Sequence, residues 1–131
     1  MTEFFLHIVP PTKTHQEKKI HVVNGKPVTY EPAELKAVRA KLEAHLAQHV
    51  PQQKYTGAVR LVMKWCFPIT GNHKNGEYKI TKPDAGNMEK TMEDVMTKLG
   101  FWMDDAIIAS KIVEKFWATV PGIYVKIEEV G

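Results

Sequence analysis

At 131 residues, with 44 % hydrophobic and 25 % charged side chains, 8 glycines and 8 prolines, the chain has the size and make-up of one globular domain. Collagen-like, low-complexity and wholly disordered chains are excluded. A single cysteine, Cys66, rules out an intrachain disulfide and a thiolate zinc cage, so packing in a reducing, cytoplasmic compartment is expected to hold the fold together. The net charge is a mild +3. The opening MTEFFLHIVP has no basic segment ahead of its apolar run, and no later stretch approaches the roughly 18 apolar residues of a membrane span, so neither secretion nor membrane insertion is expected.

Residues 3–9 alternate Phe4, Leu6 and Ile8 with Phe5, His7 and Val9, the pattern of a buried strand, and Pro10-Pro11 ends it. Residues 19–30 hold two β-prone runs around Asn24-Gly25, a pair suited to the positive φ angles of a tight hairpin. Between Pro32 and Val50 the residues Leu35, Val38, Leu42 and Leu46 recur at spacings of three and four, which predicts a helix with Pro32 in its first turn and Pro51 as its stop. Residues 59–67 alternate as a strand, and 71–76, with two glycines and two asparagines, read as a loop. Met88, Met92, Val95, Met96 and Leu99 then form one stripe of a helix that opens at Pro83-Asp84 and stops at Gly100. Residues 107–118 and 123–130 are β-prone, and Val120-Pro121-Gly122 between them predicts a closing hairpin. The order β-ββ-α-β-α-β-β indicates a single α+β domain over residues 1–131, with two helices packed on a mixed or antiparallel sheet.

The mild net charge conceals two opposed blocks. Over residues 60–82 five basic side chains (Arg60, Lys64, Lys74, Lys79, Lys82) face one acid, Glu77. Over 83–105 six acids (Asp84, Glu89, Glu93, Asp94, Asp104, Asp105) face two lysines, Lys90 and Lys98. Such separation suits a surface that attracts a polyanion beside a patch that holds a cation, and it also fits plain solvated faces. Asp84 lies at the helix start, Lys90 less than two turns along, and Asp104-Asp105 at the mouth of the following strand. A strand running back beside the helix is expected to bring Asp84 and Asp105 together. Carboxylates converging without histidine or cysteine favour a hard cation, Mg²⁺ or Mn²⁺, that activates water for phosphodiester hydrolysis, with Lys90 stabilising the developing charge. Taken singly, an aspartate at a helix start is an N-cap, and an Asp-Asp pair is a solvated turn.

The segment KPDAGNMEKTMEDVMTKLGFWMDD resembles the RusA family of Holliday junction resolvases of phages and prophages. Asp84, Asn87, Lys90, Asp94, Gly100, Phe101, Trp102, Asp104 and Asp105 match the family motif in identity and spacing across 22 residues. Pro10-Pro11-Thr12-Lys13 is similar to the family's proline-and-basic opening. The resemblance implies a Mg²⁺-dependent, structure-specific endonuclease that makes paired nicks in four-way junctions. Asp84 and Asp105 would bind metal with Asp104 adjacent, Lys90 would assist catalysis, and Asn87 would orient or cap the turn. It also implies a homodimer, since a C₂ pair matches a nearly two-fold junction. Lys13, Lys18, Lys19, Lys74, Lys79 and Lys82 are the expected DNA-binding residues.

One position departs from the motif: the second aspartate of the family's Asp-x-Asp-Asn run is Gly86 here. A missing anionic ligand weakens a Mg²⁺ site, and glycine loosens a helix's first turn. Three readings stay open: a site working with fewer carboxylates, helped by Asp104 or Glu89; a chain that binds branched DNA, or serves assembly, without cutting; or an introduced change. Other residues read as structure. His45 and His49 carry Leu46 where a zinc protease needs glutamate. Cys66 reads as a small buried hydrophobe, and the methionines and Trp65, Trp102 and Trp117 as core.

Overall fold

The computed structural model describes residues 1–12, 19–23, 25–30 and 33–131, with backbone alone for 19–23 and 26–30. Strand β1 (Thr2–Leu6) is followed by a ribbon, β2 (Lys19–Val23) and β3 (Lys26–Tyr30), then helix α1 (Ala33–Leu46), β4 (Val59–Pro68), α2 (Ala85–Leu99), β5 (Ile108–Ala118) and β6 (Gly122–Glu129). This is the α+β order that the sequence predicts. β2 and β3 pair antiparallel from Lys19↔Tyr30 to Val23↔Lys26, and Gly25 between them takes the positive φ of 76° that the turn requires. Lys13 and Lys18 lie outside the described residues.

The main sheet has the order β1-β6-β4-β5, which corrects the expected closing hairpin. β5 and β6 are consecutive but do not pair. β4 lies between them, parallel to β5 and antiparallel to β6. β4 presents Val59, Leu61, Met63, Trp65 and Phe67 to the helices, all at most 3 % exposed, and such a strand gains most from neighbours on both sides. Parallel pairing of β4 with β5 needs a long crossover, which α2 supplies. Residues 119–121 then have only to step across one strand, roughly 10 Å between second neighbours, within reach of a short extended link. Gly122 opens β6 where a Cβ would stand 2.2 Å from Phe5 Cζ and 2.6 Å from the Leu6 carbonyl. The glycine is there for close approach rather than for turning.

Both helices cover one face of the sheet. Leu42 and Leu46 of α1 and Met88, Met92 and Met96 of α2 are fully buried in one cluster with Leu61, Met63, Trp65, Val125 and Ile127, and Leu35 of α1 is fully buried as well. Ion pairs Lys98–Glu43 (3.1 Å) and Arg39–Asp94 (3.8 Å) tie the two helices across their outer side. On the opposite sheet face Arg60 bonds Glu128 at 3.2 Å. Cys66 lies on that face too, half-buried rather than in the core, because strand alternation gives the helix side to Trp65. Burial pushes its thiol pKa up, against the pull of Lys64.

Candidate functional site

α2 stops where the sequence predicts. Gly100 adopts φ 94°, its N–H reaching the carbonyls of Met96 and Thr97 at 3.1 Å. Phe101 and Trp102 then turn wholly inward. The Phe101 carbonyl accepts from Tyr55 N–H at 3.0 Å, and Trp102 Nε1 donates to Thr97 Oγ1 at 2.7 Å. This buried pair fixes the two aspartates that follow. Asp104 accepts from Ala106 N–H at 2.9 Å and so caps the short helical turn Asp105–Ile107. Asp105, half-buried in that turn, projects its charge towards Lys90.

The other end of α2 is built differently. Asp84 holds the N-cap backbone geometry (φ −70°, ψ 139°), and its carbonyl accepts from Asn87 N–H at 3.1 Å and Met88 N–H at 3.2 Å. Its carboxylate, however, makes no capping bond and is exposed. Gly86 lies within the first turn, where a Cβ would meet nothing within 4 Å. Asn87 uses its backbone to close this turn, with N–H to Asp84 and carbonyl accepting from Thr91 Oγ1 at 3.0 Å. Lys90, exposed, pairs with Asp94 at 3.1 Å. The hydrogen bond and charge of Asp94, with Asp105 and Glu93 adding, hold the Lys90 ammonium above the usual lysine range, so it remains a cation.

β5 does run back beside α2, as expected. Lys115, late in β5, donates to the carbonyls of Thr81 and Pro83 at 2.6 and 2.7 Å, while Asp105 precedes the first residue of β5. Asp84 therefore lies beside the far end of the strand and Asp105 just before its first residue, while the charge of Asp105 is still felt at Lys90, less than two turns along α2 from Asp84. Among the described residues no three His, Cys, Asp or Glu side chains form a metal-ligand group. The all-oxygen donors suit Mg²⁺ or Mn²⁺ in kind, but one chain does not assemble a set for either.

The expected DNA-binding lysines divide. Lys74 and Lys82 are exposed on the connection leading to Asp84, and Lys19 lies on β2. Lys79 is corrected: at 7 % exposure its ammonium sits between the Phe67 and Trp117 rings, 5.0 and 4.9 Å from their centroids, and donates to Thr81 Oγ1 at 2.6 Å and to the Lys82 carbonyl. Burial, with Lys115 nearby, pushes its pKa down. Lys79 and Lys115 thus pin the backbone that presents Asp84. Sequence reading missed Lys115 because a lysine on an alternating strand gives no sign of which carbonyls it will reach. It also missed Lys111, whose ammonium holds Glu89 at 2.6 Å and buried Glu93 at 3.2 Å on the α2 side facing β5.

Comparison with known proteins agrees with the motif. The family model described as Endodeoxyribonuclease RusA matches residues 9–128. The chain belongs to the RusA endodeoxyribonuclease family. It is 30 % identical to the "Crossover junction endodeoxyribonuclease rusA" of Lactococcus phage r1t, over 81 % of this chain and 79 % of that protein. It is 29 % identical to the "Uncharacterized protein YqaN" of Bacillus subtilis (strain 168), over 82 % of this chain and 83 % of that one. No helix among the described residues is long and apolar enough to cross a membrane.

Proposed function

We propose that this RusA-family chain acts on four-way and related branched DNA as a homodimeric, Mg²⁺-dependent endonuclease, with Mn²⁺ as the alternative ion, in the cytoplasm of a phage-infected or prophage-bearing cell. The observation that carries this reading is Asp84: a residue in N-cap geometry whose carboxylate does no capping and stands exposed on a loop pinned by two lysines. A structural N-cap aspartate bonds the first-turn N–H groups. This one is left for another partner.

Because no three ligand-type side chains gather among the described residues of one chain, we assign a complete acidic site to two chains, Asp84 and Asp105 of one supplemented by acidic groups of the other. Asp84 and Asp105 would hold the Mg²⁺, which would neutralise charge at the phosphodiester and lower the pKa of water. Lys90, kept protonated by Asp94, offers a fixed positive charge to the phosphate oxygens rather than a base. Asp104 orients the turn that presents Asp105. Lys74 and Lys82, with Lys13, Lys18 and Lys19, make up the phosphate-contacting surface, whose binding falls as salt rises.

Gly86 supports a second reading, binding without efficient cutting, since it removes an anionic group from the first turn of α2. The two are separated by incubating a labelled four-way junction with the full chain in Mg²⁺. Paired nicks that vanish in Asp84→Asn support the endonuclease, whereas retention of the junction without nicks supports the binding protein.

A further inference from the structure

We propose that Met103 is a site of reversible oxidation: hydroperoxide-class oxidants convert its thioether to a sulfoxide, and the sulfoxide clamps Lys54 onto the segment that leads into Asp104 and Asp105. Neither the cutting of DNA nor the pairing of chains enters into this chemistry, which is independent of the reading above.

The chain carries six methionines, in two different settings. Met63, Met88, Met92 and Met96 are completely buried in the core. Met1 is 77 % exposed, and Met103, well inside the chain, is 73 % exposed. The residues flanking Met103 are fixed: Trp102 is fully buried with Nε1 bonded to Thr97 Oγ1, and Asp104 is tied to Ala106 N–H. Ordered structure therefore holds this side chain out in solvent. Its sulfur accepts from the Lys54 ammonium at 3.4 Å, and Lys54 lies across the end of α2, its Cε 3.3 Å from where a Cβ on Gly100 would stand. Beside Lys54, Tyr55 N–H donates to the Phe101 carbonyl at 3.0 Å, and Tyr55 bridges Trp102 in parallel register. Lys54 and Met103 thus join through their side chains the same two segments that Tyr55 and Phe101 join through the backbone.

A thioether is a weak hydrogen-bond acceptor, but its sulfur lone pair attacks electrophilic oxygen. The S–O bond forms as the O–O bond of the hydroperoxide breaks. The sulfur is oxidised, the peroxide is reduced, and a proton passes to the departing oxygen, which leaves as water or an alcohol. The sulfoxide oxygen is the stronger acceptor, and a bond to it from an ammonium is charge-assisted. In the core the same change would set a polar oxygen among apolar side chains, whereas at Met103 the oxygen meets a cation and water. Cys66 competes poorly for the oxidant, since it is half-buried and burial pushes its thiol pKa up, which depletes the reactive thiolate. Thiol-dependent sulfoxide reductases return the sulfoxide to the thioether.

The test uses the full chain with Cys66→Ser, which removes the competing thiol. After brief treatment with dilute hydrogen peroxide, peptide mass spectrometry should find added oxygen on Met103 and Met1 at least about tenfold faster than on Met63, Met88, Met92 and Met96. Hydrogen exchange then reads the clamp. The Tyr55 amide should exchange about threefold more slowly once Met103 is oxidised, and should regain its original rate after treatment with a methionine sulfoxide reductase and a thiol. Met103→Gln, which offers Lys54 an amide oxygen, should slow the exchange without peroxide, whereas Met103→Leu and Lys54→Leu should each abolish the response to peroxide. Oxidation of Met103 no faster than that of the buried methionines overturns the proposal. So does Tyr55 exchange that is unchanged or faster on oxidation, that slows equally in Lys54→Leu, or that the reductase does not restore. None of these readouts uses DNA, so a chain that passes them and never nicks junctions defeats the endonuclease reading alone, and a nicking chain that fails them defeats only the oxidation site.

Discussion

The two ends of α2 carry similar acidic residues but use them for different purposes. At the C-terminal end the polar groups are largely occupied by the protein itself: Gly100 N–H closes the helix, Trp102 Nε1 is bonded to Thr97, and Asp104 caps the turn before β5. At the N-terminal end Asp84 is exposed with no capping bond, and Gly86 faces open space. The contrast separates residues that hold the fold from residues that the fold holds out, and it makes an aspartate's neighbours more informative than its position at a helix start.

The contrast predicts unequal responses to substitution. The largest effect is expected at Trp102, fully buried beneath the Asp104-Asp105 turn. Trp102→Ala should lower unfolding free energy by about 3–5 kcal/mol in denaturant titration, and a loss under 1 kcal/mol would remove the claim that this pair anchors the turn. The next largest separates the two aspartates directly. Asp104→Ala removes a side-chain cap and should cost about 1 kcal/mol, whereas Asp84→Ala should leave thermal stability within experimental error. Equal losses would show that Asp84 is a structural cap after all.

The smallest effect concerns pH. Burial, with Glu89 adding, pushes the Glu93 carboxyl up against the opposing pull of Lys111. A carboxyl raised in the folded state favours folding in full below the unfolded value, and that contribution is lost as pH rises through the folded one. Lys111→Met removes the opposing pull and should shift the loss to higher pH. The variant should therefore gain more stability than the parent when taken from pH 7 to pH 5. A gain no greater than the parent's would contradict the pairing.

Much of this architecture was legible in the residues. Periodicity placed both helices, and Gly100 and Asn24-Gly25 marked a helix end and a turn, because those signals are local. The sheet order was not legible: the short Val120-Pro121-Gly122 link favours a hairpin, and only the demand of β4 for two neighbours overrides it. The candidate site was read in part. The identities of Asp84, Lys90 and Asp105 stood out by motif, but the backbone that presents Asp84 is held by Lys79 and Lys115, whose targets no spacing rule reveals. Lys79 misled for a similar reason. In sequence it is one more cation in a basic block, and its burial depends on Phe67 and Trp117, which are distant in sequence.

The most direct test of the endonuclease account is a four-way junction nicking assay in Mg²⁺ comparing the chain as it stands with Gly86→Asp. The added side chain has open space around it and lies in a helix first turn, where a negative charge is favourable. Restoring that carboxylate should raise the nicking rate by at least tenfold. Equal rates for the two proteins, or no nicking by either, would contradict the account.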